Sequence, residues 1–262
     1  MVDQPEPLTP FDIRHKEIRD GIEDTAQREL FDSAVARLDR EALSQVYDKY
    51  KSNIAGPGFA GFEKYLDVCF WLRDKIARAC AMGLQRGEPR RLLDLGAGAG
   101  HWLAACAAMG HEGVGLDIEV PIFVDLCRAL RVDRRTFRIQ PGEALPGIGR
   151  FDVVTAFAVK FDALGRDPQG VHLYWSPDDW DFFLRDVTTH RMRYPGKLHL
   201  QLNSRIRPDG QRERFTDVMK ACREAGAAVV EMGSRIEFNV SGPIGLGVSA
   251  ASPDRTLAAS PT

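Results

Sequence analysis

The sequence predicts an α/β protein: a doubly wound, mostly parallel seven-stranded sheet whose last strand is antiparallel, preceded by a helical extension. Three observations lead there. From Arg91 onward, short apolar runs alternate with helical patterns, which is how a parallel sheet covered by helices is written. The last two strand-like runs are separated only by Gly233-Ser234, too short for the crossover that parallel neighbours need. Before Arg91, apolar residues recur at helical spacing.

Taken in order, residues 1–23 are polar and hold Pro5, Pro7 and Pro10, so they read as a flexible arm. Residues 24–88 read as a helical extension. One stripe is Leu30, Phe31, Ala34, Val35 and Leu38, and a second is Leu43, Val46, Tyr47 and Tyr50. The Gly56-Pro57-Gly58 turn breaks the run. A further helix follows, with Phe62, Tyr65, Leu66, Cys69, Leu72, Ile76 and Cys80 on one side. This extension is a candidate lid, with Tyr50 and the Gly56–Gly58 turn as its edge or hinge.

Strands are then expected over Arg91–Leu95, Gly113–Asp117, Thr136–Ile139, Phe151–Phe157, Lys197–Asn203, Ala227–Met232 and Arg235–Val240. Helices are expected over Trp102–Met109, Pro121–Leu130, Pro177–His190 and Arg212–Ala225, with Pro121 suited to a first helical turn. Residues 160–175 form a long loop, and the small, polar residues 250–262 read as a disordered tail.

Composition narrows the function. The 262 residues carry 35 Lys+Arg against 37 Asp+Glu, so bulk charge does not favour wrapping nucleic acid. No run of eighteen apolar residues and no apolar leader occur, so neither a membrane span nor a secretion signal is expected. The five scattered cysteines form no CxxC pair, which points to reduced thiols, a cytoplasmic setting and no structural metal. Arg128, Arg131, Arg134, Arg135 and Arg138 suggest an RNA contact, but a solvated face is the favoured reading, because the third strand's amino end lies on the opposite edge from the expected site and the chain as a whole is not basic.

The chemistry is written in Leu92-Leu-Asp-Leu-Gly-Ala-Gly-Ala-Gly-His101. An apolar strand runs into Gly96, Gly98 and Gly100, where the chain turns sharply and a ligand can approach bare backbone. The next strand ends in Asp117, whose carboxylate is placed to accept from both hydroxyls of a ribose. The pair implies a nucleoside-containing ligand at the carboxyl edge of the sheet. A dinucleotide fingerprint would continue G-x-G-x-x-G, but His101 or Leu103 occupies the final position, depending on the register. Asp94 also disfavours a pyrophosphate and suits a cationic ligand.

The ordered set LLDLGAGAG, VGLDIE and FDVVTAFAV resembles the class I methyltransferases that use S-adenosylmethionine, over about Arg91 to Val240. The resemblance implies a Rossmann-like methyltransferase domain over residues 89–249 with S-adenosyl-L-methionine as cofactor. It implies that Gly96, Ala97 and Gly98 line the methionine part of that cofactor, with Asp94 close beneath. Asp117 would hold the ribose and Ile118 would pack on adenine. Gln140 would stand near the adenine amino group, where the family more often has Asp. Ala156 and Phe157 would lie beside the transferred methyl. The implied reaction is an in-line displacement at the methyl carbon, in which the protein aligns the nucleophile and excludes water.

His172, Tyr174 and Asn203 are weak catalytic candidates, because they fall on the loop after the fourth strand or at the end of the fifth. His199 shares a strand face with Gln201 and reads as a partly buried structural histidine, while His101 or Trp102 is a candidate contact for the cofactor's carboxylate region. The expected acceptor is a small molecule, with no nucleic-acid partner. A catalytically silent cofactor-binding protein and a nicotinamide-dependent reductase stay open as alternatives. Asp117→Ala is expected to weaken cofactor binding by about 1–3 kcal/mol, the scale of hydrogen bonds to a charged group. Calorimetric titration checks this, and unchanged affinity in a folded variant counts against the ribose assignment.

Overall fold

The computed structural model describes residues 10–51, 61–160, 162–206, 210–213, 216–230 and 234–247. Seven strands form the main sheet: β1 (Arg91–Leu95), β2 (Glu112–Asp117), β3 (Asp133–Thr136), β4 (Phe151–Val159), β5 (Met192–Leu202), β6 (Ala228–Val230) and β7 (Arg235–Val240). Their order is β6-β7-β5-β4-β1-β2-β3. Strands β1 to β5 pair in parallel, and β7 runs antiparallel to both β5 and β6. The last strand therefore has the expected direction and inserts between its predecessor and the sheet. Strand order reverses between β1 and β4, which puts the natural ligand crevice beyond their carboxyl ends.

Eight α-helices accompany the sheet among the described residues: α1 (Pro10–Asp20), α2 (Thr25–Ala36), α3 (Arg40–Lys51), α4 (Val68–Ala81), α5 (His101–Ala108), α6 (Pro121–Ala129), α7 (Pro177–Asp186) and α8 (Thr216–Glu224). Local chemistry sets their starts. Asp24 and Asp67 accept from Gln27 and Phe70 backbone N–H groups and cap α2 and α4. Ser176 and Asp179 form a capping box on α7, with Pro177 in its first turn.

The sheet has two different faces. On one, Leu93, Val154, Leu198 and Leu200 pack with Trp180, Phe183 and Cys222 from α7 and α8. On the other, Leu92 and Val153 pack beneath Trp102, Leu103 and Cys106 of α5 and Ala79 of α4. The N-terminal helices continue this second layer: Phe31, Leu72 and Ile76 share a core with Ala105 of α5 and Leu126 of α6.

Several boundaries differ from the sequence reading. The segment read as an arm is helical from Pro10 to Asp20, because Ile18 and, just after it, Ile22 are buried against the next helices. The third strand is Asp133–Thr136 rather than Thr136–Ile139. It is an edge strand with charged residues; Phe137 and Ile139, which suggested a strand, lie past it and pack on the core. The loop after β4 contains a small hairpin, Ala163–Arg166 with His172–Tyr174. Its turn is held by Asp167, which accepts from the backbone of Gln169 and Val171. The stretch expected as one helix over Arg212–Ala225 opens instead with Arg212–Glu213 paired to Arg205–Ile206, and α8 starts only at Thr216. The Gly56–Gly58 turn and residues 250–262 lie outside the described residues.

Trp180 is fully buried and meets Trp175 and Phe183 edge-on at 5.3 and 5.9 Å. Trp180→Ala is expected to cost about 3–5 kcal/mol of stability, read as a lower midpoint in urea unfolding with the slope unchanged.

Candidate functional site

The site begins at the joint between β1 and α5. Gly96 and Ala97 donate backbone hydrogen bonds to the Leu116 carbonyl at 2.7 and 3.2 Å, locking the loop to the end of β2. Gly96, Gly98 and Gly100 have φ of 74°, 55° and 81°, a region that L side chains resist. The three glycines serve different ends. A Cβ on Gly96 would sit 2.5 Å from the Val159 methyls, and one on Gly100 would sit 2.8 Å from Cys127 Sγ. A Cβ on Gly98 would meet nothing within 4 Å. Gly96 and Gly100 therefore permit close packing, and Gly98 presents bare backbone to open space.

Asp117 closes the loop. Its Oδ2 accepts from the Gly98 N–H at 2.6 Å and its Oδ1 from the Ile118 N–H at 2.7 Å. Burial pushes the carboxyl up, while the two amides and Arg134 pull it back. An ionised carboxylate has about four acceptor positions, so capacity is left for a ligand's hydroxyls. Ile118 beside it is 40% exposed, high for a large apolar side chain. Arg134 donates to the Ile118 carbonyl and fixes this edge.

Beneath the loop, Asp94 is buried at 3% exposure and accepts from Thr155 Oγ1 at 2.7 Å. Burial pushes it up to about 7, Asp117 adds to that, and Lys75 and Arg78 of α4 oppose it. Strand register extends this pair into a row. Asp94 on β1 lies beside Thr155 on β4, Thr155 beside His199 on β5, and His199 beside Glu237 on β7. His199 Nδ1 is 3.6 Å from Glu237, and burial pushes this histidine down. His199 is one member of a polar row crossing four strands, and its Nε2 has no hydrogen-bond partner among the described residues.

At the start of α5, His101 and Trp102 are buried. His101 lies beside Tyr65 and Trp71, with ring centroids at 6.3 and 6.2 Å, and burial pushes it down to about 3. His101 Nε2 and Trp102 Nε1 have no hydrogen-bond partner among the described residues. Phe157 meets Trp102 edge-on at 4.9 Å.

Other candidates stand apart. The Ala156 side chain is buried in the core on the face opposite Asp94. Gln140 is exposed and bonds Glu143 at 2.8 Å. His172 stacks on Tyr174 in the hairpin, and the Tyr174 hydroxyl accepts from the Ile206 N–H at 2.8 Å, a structural tie to the end of β5. Asn203, just past β5, is half-buried. Tyr50 is buried and donates to Asp125 of α6 at 2.8 Å, so it anchors α3. Sequence reading missed Thr155, Arg78 and Asp162. Asp162, just past β4, is 3% exposed, and burial pushes it up to about 6. Nothing in its local sequence marks it, because its burial comes from the folded hairpin.

A family model described as a methyltransferase domain matches residues 66–160, from the turn before α4 through β4. That span holds the glycine loop, Asp94 and Asp117. The chain carries a methyltransferase domain. None of the curated proteins compared matches the sequence. Among solved structures, a Burkholderia thailandensis 1,6-didemethyltoxoflavin-N1-methyltransferase is similar at 18% identity, with 76% of this chain and 88% of that chain covered and a TM-score of 0.44. The S-adenosylmethionine-dependent methyltransferase SibL is similar at 15% identity over 88% of this chain and 74% of its own, with a TM-score of 0.43. The amino pentose methyltransferase CalS10 from Micromonospora echinaspora is 20% identical, with a TM-score of 0.36; 51% of each chain is covered, so the match spans about half of CalS10. The matched span takes in α4, which the sequence reading placed in the extension.

The perturbed Asp94 gives this site a pH signature. Its pKa in the folded, unliganded state lies above that of the unfolded chain, so the folded state holds the proton more tightly. Stability therefore falls as pH rises from about 4 toward 7 and levels off above. Asp94→Asn is expected to remove that slope and raise the melting temperature at neutral pH, more than at acid pH. Thermal unfolding across this range checks it; an equal shift at every pH contradicts the assignment.

Proposed function

We propose that this methyltransferase domain uses S-adenosyl-L-methionine to methylate a small-molecule acceptor by in-line displacement. The observation that carries the reading is the bare Gly98 backbone held against Asp117, with Asp94 buried beneath. The donor set fits the cofactor. Asp117 keeps acceptor capacity for ribose hydroxyls, exposed Ile118 offers a flat apolar contact for adenine, and the Gly96–Gly98 backbone admits the methionine part. A carboxyl below the loop suits a ligand carrying a sulfonium and an ammonium, and it opposes the pyrophosphate of a nicotinamide dinucleotide.

When bound, the cofactor supplies an activated methyl and a neutral leaving sulfur. The protein's part is alignment and exclusion of water. The α4 helix and the aromatic pair Trp102 and Phe157 enclose the side of the loop toward β4 and β5, which favours a compact acceptor over a polymer. Three of the five arginines that hinted at RNA have local partners: Arg128 with Asp125, Arg135 with Asp133, and Arg134 with a backbone carbonyl. No helix among the described residues is long and apolar enough to cross a membrane. Buried Cys69, Cys127 and Cys222, their thiols pushed up to about 12 by burial, suit a reducing cytoplasmic setting.

Titration with S-adenosylmethionine and with a nicotinamide dinucleotide is expected to show saturable heat from the first only. Methyl label from the cofactor is then expected to appear in a low-mass fraction of a cell extract. Binding of the dinucleotide alone overturns the reading; cofactor binding without transfer to any acceptor reduces the protein to a silent binder.

A further inference from the structure

The least explained charged group near the loop is Arg78, on the last turns of α4. Its Nη1 donates to Gln201 Oε1 at 2.6 Å, and its guanidinium lies 4.6 Å from the centre of the Phe157 ring. Phe157 and Gln201 are lateral neighbours at the carboxyl ends of β4 and β5. Arg78 is thus pinned from below by a ring and from one side by an amide. A guanidinium has five N–H donors in a rigid fork matched to a planar anion. One of them is used, and no carboxylate among the described residues lies within salt-bridge distance. Asp94, which interacts electrostatically with Arg78, accepts from Thr155 through Oδ1 and is pushed up to about 7 by burial, so near neutral pH it offers Arg78 only part of a charge. Lys75, one turn earlier, is paired with Asp74 and adds further positive charge on this side.

A half-buried, immobilised guanidinium with open donors and no carboxylate in contact among the described residues is poised for an anion from outside the chain. Phe157 touches Trp102, and Trp102 follows the glycine loop by one residue, so the vacancy in Arg78's hydrogen bonding borders the cofactor site. We propose that Arg78, held by Gln201 and Phe157, receives the carboxylate of a ligand bound at the carboxyl ends of β4 and β5. The proposal rests on the cofactor reading above. The carboxylate belongs either to the acceptor or to the cofactor's own methionine part. The reach of Arg78 to β5, two strands from the glycine loop, favours the acceptor.

The test uses the full chain and the variants Arg78→Met and Arg78→Lys, with near-ultraviolet circular dichroism as the check of folding. One arm compares S-adenosylmethionine with 5′-methylthioadenosine, which lacks the amino-acid part. The other titrates protein loaded with S-adenosylhomocysteine with benzoate and with benzyl alcohol, its neutral counterpart. Arg78→Met is expected to weaken benzoate about tenfold or more, the scale of charge-assisted hydrogen bonds, with benzyl alcohol unchanged and Arg78→Lys between. The same loss for S-adenosylmethionine, with 5′-methylthioadenosine unaffected, supports the site and assigns the carboxylate to the cofactor. Arg78→Met binding both carboxylates as the parent does, or a parent that takes up benzoate no better than benzyl alcohol with S-adenosylmethionine unaffected by the variant, overturns the proposal. If Arg78→Met fails to fold, Arg78→Lys decides by the same comparison. A parent that binds neither adenosyl compound defeats the cofactor reading instead, and benzoate titration of the free protein still decides Arg78.

Discussion

Much of this molecule depends on one hydrogen-bonded joint, the Asp117 carboxylate receiving the Gly98 and Ile118 amides. The loop after β1 holds three consecutive positive-φ glycines with single alanines between them. Such a loop has many conformations open to it, and its ordering costs more entropy than most. Asp117 fixes it from the end of the neighbouring strand, while Leu116 accepts from Gly96 and Ala97. In the proposed function the same carboxylate accepts from a ligand, so that structure and recognition would share one group.

The second constraint is the row from Asp94 to Glu237. Parallel sheets usually bury apolar residues on both faces. Here one face follows that rule with Leu93, Val154 and Leu198, and the other carries Asp94, Thr155 and His199 in lateral register. Buried polar groups need partners. Thr155 serves Asp94, while His199 has Glu237 at 3.6 Å from Nδ1 and no hydrogen-bond partner for Nε2 among the described residues; burial pushes the Asp94 carboxyl up to about 7. In the proposed function a cationic ligand above it relieves that cost, so affinity for that ligand and instability of the free site would have the same origin. The α4 helix closes this face and brings Lys75 and Arg78 to it.

The glycine loop and Asp117 were legible in the sequence because they answer local backbone demands: a sharp turn, positive φ and an acid ending the next strand. The direction of β7 was legible for a similar reason, since two residues cannot make a crossover. Strand β3 was misplaced because an edge strand needs no apolar alternation, and Phe137 with Ile139 supplied a misleading one. The arm was misread because two isoleucines, Ile18 and Ile22, anchor α1, too few to stand out among its charges. Thr155, Arg78 and Asp162 were invisible for a deeper reason. Thr155 and Arg78 matter through partners far along the chain, Asp94 and Gln201, and Asp162 is buried only once the hairpin that follows it has folded.

In the proposed function an adenosyl cofactor sits on the bare Gly98 backbone beside Asp117. The amide nuclear magnetic resonance spectrum recorded as S-adenosylmethionine is added tests this contact residue by residue. The largest shifts are expected on Gly98, Ile118 and the first turn of α5. Shifts confined to the opposite edge of the sheet, around Arg91, Glu112 and Arg135, would contradict it.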